Sequence, residues 1–235
     1  MRGIKIGDKH TFIDWGLVLT KRPEIGAPSV KTNLIDIPGL DGQLDLSEAV
    51  TNHPTYSTRP AKFTFITLGD RNSWFNLSSD IMDYLHGNVL TCVLDEDPEY
   101  YYKGRFTLSA FDINNDKKSA KVEISGTLEP FKYCRASTCD PWLWDTFRFD
   151  IGVIKPSEYL KQEVHYERTF KIKGHNRLAV VKIDTTNEID LTFDGEIYHL
   201  NQGSNTLELD LKDGNNLLTF NGYSTVTIDY IERRL

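Results

Sequence analysis

The sequence predicts a mainly β protein of two domains, with one α-helix in the first. Three observations carry this. Apolar residues alternate with polar ones in several runs, most cleanly from Ala61 to Leu68. A helical apolar stripe occurs around Trp74, Leu77, Ile81 and Leu85. From about Cys139 the texture changes to short strands separated by turn dipeptides.

The chain has 235 residues, enough for one large or two small domains. Hydrophobic residues make up 39 % and aromatic residues 11 %, which suffices for packed cores. The formal charge is -7, with 27 basic against 34 acidic residues and no basic stripe. Tight nucleic-acid binding needs Lys and Arg at phosphates, so the chain is a poor candidate for it, while a surface that nucleic acid passes without sticking stays open. No apolar run approaches the ~18 residues of a membrane span. Met1 to Gly7 begins no signal-length apolar run, so a cytosolic origin or a non-secretory exit is expected.

Phe12 to Leu19 reads as a strand broken at Gly16. Arg22 to Pro28 is a loop, because its two prolines cannot both serve a sheet ladder. Val30 to Ile37 reads as a strand that enters Asp36-Ile37-Pro38-Gly39-Leu40-Asp41-Gly42-Gln43-Leu44-Asp45-Leu46. Pro38-Gly39 and Asp41-Gly42 are turn signals, and Leu44 and Leu46 alternate as in a half-buried strand. A hairpin is predicted. Asp36, Asp41 and Asp45 would surround a cation only if the turns fold back; local caps of backbone amides are expected instead.

Thr51 to Pro60 is a polar excursion before the Ala61–Leu68 strand. Asp70, Asn72 and Ser73 offer caps to a helix of about four turns that stops at Gly87. Strands follow at Asn88 to Leu94, Tyr100 to Leu108 and Ser119 to Leu128, with Asp95-Glu96-Asp97-Pro98 as a turn. Tyr100 and Tyr102 share one strand face and Tyr101 takes the other.

The domains are expected at 1–133 and 141–235, joined by 134–140. In the second, strands are predicted at Trp144 to Phe149, Thr169 to Lys173, Leu178 to Ile183, Ile189 to Phe193, Glu196 to Leu200, Thr206 to Leu211, Asn216 to Phe220 and Val226 to Ile231. Turns fall at Asp194-Gly195, Asp213-Gly214 and Asn221-Gly222. The spacing indicates a β-sandwich or jelly roll.

Chemistry is sparse. Cys92, Cys134 and Cys139 are odd in number, and the last two are wrongly spaced for a zinc knuckle. No histidine pair has helical metal-binding spacing, and no nucleophile elbow, P-loop or dinucleotide fingerprint occurs. Neither catalytic residues nor a metal or cofactor are expected. Trp142 and Trp144 share a strand face and form either the core between two sheets or a carbohydrate platform; core is favoured.

The first domain resembles the distal tail protein (Dit) of long-tailed bacteriophages. The resemblance rests on Trp15-Gly16-Leu17, Pro23-Glu24-Ile25, Lys31-Thr32-Asn33, Asp36-Ile37-Pro38-Gly39, Asp41-Gly42 and Leu44-Asp45-Leu46-Ser47-Glu48-Ala49. It continues through Tyr84-Leu85-His86-Gly87, Asp95-Glu96-Asp97-Pro98 and Glu129-Pro130-Phe131-Lys132-Tyr133. The end of the chain, with Ile228-Asp229-Tyr230 and Arg233-Arg234-Leu235, is also similar.

The resemblance implies a tail-tube-like β-barrel flanked by one helix, then a galectin-like β-sandwich. It implies a homo-hexameric ring in the virion, at the tail tip or baseplate, made in the bacterial cytoplasm. Partners would be the tail tube protein, a tail-associated lysin or tail fibre hub, and a receptor-binding protein. DNA would pass the lumen without specific binding, and no membrane insertion is implied. Pro38, Gly39, Asp41, Gly42 and Asp45 are then expected to shape a loop at the subunit–subunit or lumen surface, since exposed edges must be shaped and charged. The alternatives are a module that binds cell-wall sugars through the second domain, and a wall hydrolase. The latter needs two carboxylates in divergent environments, to which no spacing points.

Overall fold

The computed structural model describes residues 3–39, 41–51, 53–68, 73–114, 118–135, 159–174, 177–231 and 233–235. They form two compact units: Met1–Tyr133 with Arg233–Leu235, and Cys134–Glu232.

The first unit contains β1 (Ile4–Ile6), β2 (Lys9–His10), β3 (Leu17–Leu19), β4 (Glu24–Ile25), β5 (Leu34–Ile35), β6 (Leu44–Asp45) and β7 (Arg59–Leu68). Helix α1 (Trp74–Leu85) follows, then β8 (Val89–Leu94), β9 (Asp97–Ile113) and β10 (Ser119–Cys134). One sheet runs β2-β1-β8-β9-β10-β7-β3, with β4 also on β7, and curls into a half barrel. β7 pairs with β10 from Arg59↔Leu128 to Leu68↔Ser119. That register sets Phe63 opposite Ile124 and Phe65 opposite Val122, all four fully buried. The same period-two pattern that marks these strands therefore builds one apolar face.

α1 packs Ile81 and Leu85 into that core, and its Trp74 is also buried. Its 12 residues make closer to three turns than the expected four. Ser73 sits at the N-cap without a side-chain cap bond; Asp70 and Asn72 lie outside the described residues. At the far end Gly87 takes φ +81°, as the predicted stop requires. Tyr84 reaches back from α1, accepting from the Asp8 amide (2.8 Å) and donating to the Ile6 carbonyl (3.2 Å). Tyr100 and Tyr102 are buried, while Tyr101 stacks on Tyr133 at 5.4 Å.

Two strand expectations shorten. Residues 11–15 form turns, closed by Asp14 N to His10 O (2.9 Å) and Gly16 N to Phe12 O (3.1 Å), so only Leu17–Leu19 remains extended. Of Val30 to Ile37, only Leu34–Ile35 is paired as a strand, with an isolated bridge from Val30 to Tyr56.

The second unit contains β11 (Gln162–Gly174), β12 (Arg177–Thr185), β13 (Ile189–Phe193), β14 (Glu196–Leu200), β15 (Gly203–Leu211) and β16 (Gly214–Tyr230). The strand expected at Trp144 to Phe149 lies outside the described residues. The ladder runs β14-β13-β16-β12-β15, with β11 also on β16. β13 and β14 meet at a two-residue turn in which Asp194 (φ +49°) and Gly195 (φ +87°) both take positive φ, matching the strands' twist.

Asn221-Gly222 is not a turn. It lies inside β16, which β11 follows from Gln162↔Val226 to Gly174↔Gly214. The other edge of β16 is shared: β13 takes residues 219–221 and β12 takes 226–230. Gly222, at φ +140°, stands between the two and lets β16 pass from one partner to the next. The inward residues of all six strands form one core, including Phe170, Val181, Leu191, Leu209, Phe220 and Ile228. Among the described residues no helix lies in this unit, and Tyr159, which precedes β11, packs against the core.

The last strand, β17 (Arg233–Arg234), returns to the first unit and pairs with β10 at Tyr133 and Lys132. Arg233 lies 4.9 Å from the Phe131 ring and Arg234 lies 5.6 Å from Tyr100.

Candidate assembly interface

The stretch 31–55 forms an arm. Its root is tied by Lys31 N to Thr55 O (2.8 Å) and Ser57 N to Ser29 O (2.8 Å). Its tip is the β5–β6 ribbon, paired Leu34↔Asp45 and Ile35↔Leu44, which among the described residues pairs with no other strand. Leu46 N to Asn33 O (2.9 Å) extends the ladder by one step.

Period-two alternation gives the ribbon two unlike faces. Leu34, Asp36, Gln43 and Asp45 share one. Gln43 donates to Asp36 across the loop at 2.9 Å. The Ser47 hydroxyl and amide donate to the Asp45 carboxylate and hold it below its ordinary pKa. Ile35, Ile37, Leu44 and Leu46 share the other face. Ile35, Ile37 and Leu44 are 42 %, 41 % and 41 % exposed, and nearby Val50 is 94 % exposed. A two-stranded ribbon is marginal alone in water, and in this one Ile35, Ile37 and Leu44 are left largely uncovered by the described residues, while Leu46 is half-buried.

The residues expected to shape the loop are all on the arm. Gly39 (φ +86°) and Gly42 (φ +81°) supply the left-handed conformations of its two turns, and a Cβ at either would meet open space. Pro38 and Asp41 lie between β5 and β6, and Asp45 is in β6. Asp36 and Asp45 take separate local partners, so the three aspartates do not converge. Among the described residues no group of three or more His, Cys, Asp or Glu is placed to hold a metal. Cys92 is buried and its thiol is pushed up by that burial. Trp142, Trp144 and Cys139 lie outside the described residues. The residues alone did not show the arm's exposed apolar side chains: Leu44 and Leu46 alternate as a half-buried strand would, and Ile35 and Ile37 repeat that alternation on the strand before the turn.

The sequence matches no protein-family model and no curated protein. In structure, the whole chain matches the whole of the Dit protein (gp 19.1) of phage SPP1, at a TM-score of 0.65 and 14 % identity. The fold is that of a phage distal tail protein. The SPP1 Dit structure is described as a paradigm of the hub adsorption apparatus in phages that infect Gram-positive bacteria. A chain of the native gene transfer agent virion matches over 55 % of this chain and 95 % of its own, at a TM-score of 0.28 and 14 % identity, too slight a likeness to carry an argument. Within the Dit-like fold, the arm is an outward ribbon with one apolar face and one carboxylate-bearing face.

Proposed function

We propose that the chain is a structural subunit of a phage tail tip, without catalytic activity. Six copies form a hub ring that continues the tail tube and joins it to the baseplate, tail fibre or receptor-binding apparatus. The observation that carries this reading is the arm's uncovered apolar face on a Dit-like fold. Its natural occupant is the neighbouring copy, which would cover Ile35, Ile37 and Leu44 and make the ribbon stable.

The tail tube protein would sit on one side of the ring and a tail-associated lysin or tail fibre hub on the other. Receptor-binding proteins would dock through the second unit. The arm carries Asp36, Asp41, Asp45 and Glu48 against Lys31. Turned to the lumen, such loops would repel phosphate and let DNA pass without sticking.

The test is solution mass by light scattering, for the chain alone and mixed with the proteins of neighbouring tail genes. A species of six copies is expected. A chain that stays monomeric in every mixture overturns the hub reading.

A further inference from the structure

The turn between β2 and β3 is tied down at two points of different chemistry. One is Thr11, which is fully buried. Its amide donates to the Ile4 carbonyl (2.9 Å), its hydroxyl accepts from the Ile4 amide (3.0 Å), and its carbonyl accepts from the Leu17 amide (2.8 Å). None of these groups titrates.

The other point is His10, the last residue of β2, whose side chain is 19 % exposed. Its Nδ1 lies 3.2 Å from the Phe12 amide and 3.3 Å from the Ile13 amide. Both amides are donors, so Nδ1 accepts and carries no proton. The single ring proton is then on Nε2, which donates at 3.2 Å to Asp95, in the turn between β8 and β9. The second oxygen of Asp95 accepts from the Gly3 amide at 2.7 Å, and the His10 backbone amide donates to the Asp14 carboxylate at 2.6 Å. A Cβ on Gly3 would come within 2.5 Å of His10 Cε1, so the ring has no room to slide that way.

An imidazole held like this serves its partners in one charge state only. Protonation puts a hydrogen on Nδ1, which then faces two N–H donors and can accept from neither. The charged groups around the ring are Asp95 from the β8–β9 turn, Asp14 from the turn itself, Lys5 paired opposite on β1, and Lys9 beside it on β2. The two carboxylates attract the charged ring and the two ammonium groups repel it. The charged ring keeps Asp95 through Nε2 and has Asp14 as a replacement for the two amides.

We propose that His10 is a pH-sensitive latch on the turn 11–15. Neutral, it holds the Phe12 and Ile13 amides and fixes Ile13, which is 77 % exposed, in one position. Protonated, it lets residues 12–15 go while Thr11 keeps the base of the turn on Ile4 and Leu17. The released stretch ends at Trp15, which packs edge-on against Tyr84 of α1 at 5.7 Å. Two anchors, one titrating and one not, make this a device that moves an exposed apolar side chain without unfolding the unit. The inference is independent of ring formation.

The experiment is NMR of the full chain from about pH 8 to about pH 5, following the His10 ring nitrogens and the exchange of backbone amides. At the alkaline end the ring proton is expected on Nε2 alone. The Phe12 and Ile13 amide shifts should move with the same midpoint as the ring. Their protection from exchange should fall about five- to tenfold as the ring charges, the effect of losing one hydrogen bond each, while the Thr11 and Leu17 amides keep theirs. His10→Gln, which offers an acceptor that does not titrate, should hold the protection of Phe12 and Ile13 level across the range. His10→Phe should lack that protection at every pH. A ring proton on Nδ1 at the alkaline end, protection at Phe12 and Ile13 that ignores pH, a fall shared by Thr11 and Leu17, or the same fall in His10→Gln each overturns the proposal.

Discussion

Gln43 donates its side-chain amide to Asp36 across the loop between β5 and β6, at 2.9 Å, on the face opposite Ile35 and Leu44. The ribbon thus closes its polar side on itself and leaves its apolar side open. Changing Ile35 and Leu44 together to Asp should therefore leave the subunit's stability within about 0.5 kcal/mol, as exposed substitutions do. Ring formation should be lost, because each carboxylate would have to be desolvated at the contact. Thermal unfolding and light scattering on the same sample check both halves. A double variant that still assembles would place the contact elsewhere.

A second prediction concerns acid. Lys121 and Lys62 both hydrogen-bond Glu123 on β10, with ion-pair distances of 2.6 and 2.9 Å, and lower its pKa to about 2 from an ordinary 4.5. The folded pKa is depressed, so the unfolded chain takes up the proton first. The pair's contribution is present above about pH 4.5 and is lost as pH falls toward 2. Glu123→Gln should flatten the fall in unfolding temperature across that window and leave the region above it flat. Salt should weaken the effect, since the lysines are about half exposed.

The return of β17 gives a third. Arg233 sits over the Phe131 ring at 4.9 Å, and burial lowers its pKa. Arg233→Ala removes that contact and should cost about 1–2 kcal/mol, the range for a partly desolvated cation–π pair. Arg233→Lys should recover only part, because an ammonium lacks the planar stacking surface. Urea unfolding of the full chain measures both; an Arg233→Ala chain as stable as the parent would show that backbone pairing alone holds β17.

Local chemistry made much of this fold readable. Ile189–Phe193 and Glu196–Leu200 match their expected bounds because Asp194-Gly195 has the turn type that right-twisted strands demand. The stripe Trp74, Ile81, Leu85 fixed the helix and its buried side together. Misreadings arose where one local signal serves two long-range outcomes. Asn221-Gly222 has the composition of a hairpin turn, yet in β16 the same freedom at Gly222 accommodates a change of partner strand. Ile35, Ile37, Leu44 and Leu46 alternate as a buried face would, but alternation does not say whether the cover is the same chain.

Two glycines of the first unit separate two reasons for the residue. At Gly104 on β9 an added Cβ would lie 2.3 Å from the Thr127 carbonyl oxygen and 2.8 Å from the Leu128 Cα, both rigid backbone of β10. At Gly16 an added Cβ would meet nothing within 4 Å, but φ is +64°. Gly104→Ala must push two strands apart and should cost about 1–3 kcal/mol, as overpacking does. Gly16→Ala should cost about 1–2 kcal/mol from backbone strain alone. The pair is told apart by asparagine, which tolerates the left-handed region. Gly16→Asn should recover most of the loss, whereas Gly104→Asn should be worse than Gly104→Ala. Urea midpoints for the four variants decide it, and a Gly104→Asn chain as stable as Gly104→Ala would mean that β9 and β10 yield more readily than their spacing implies.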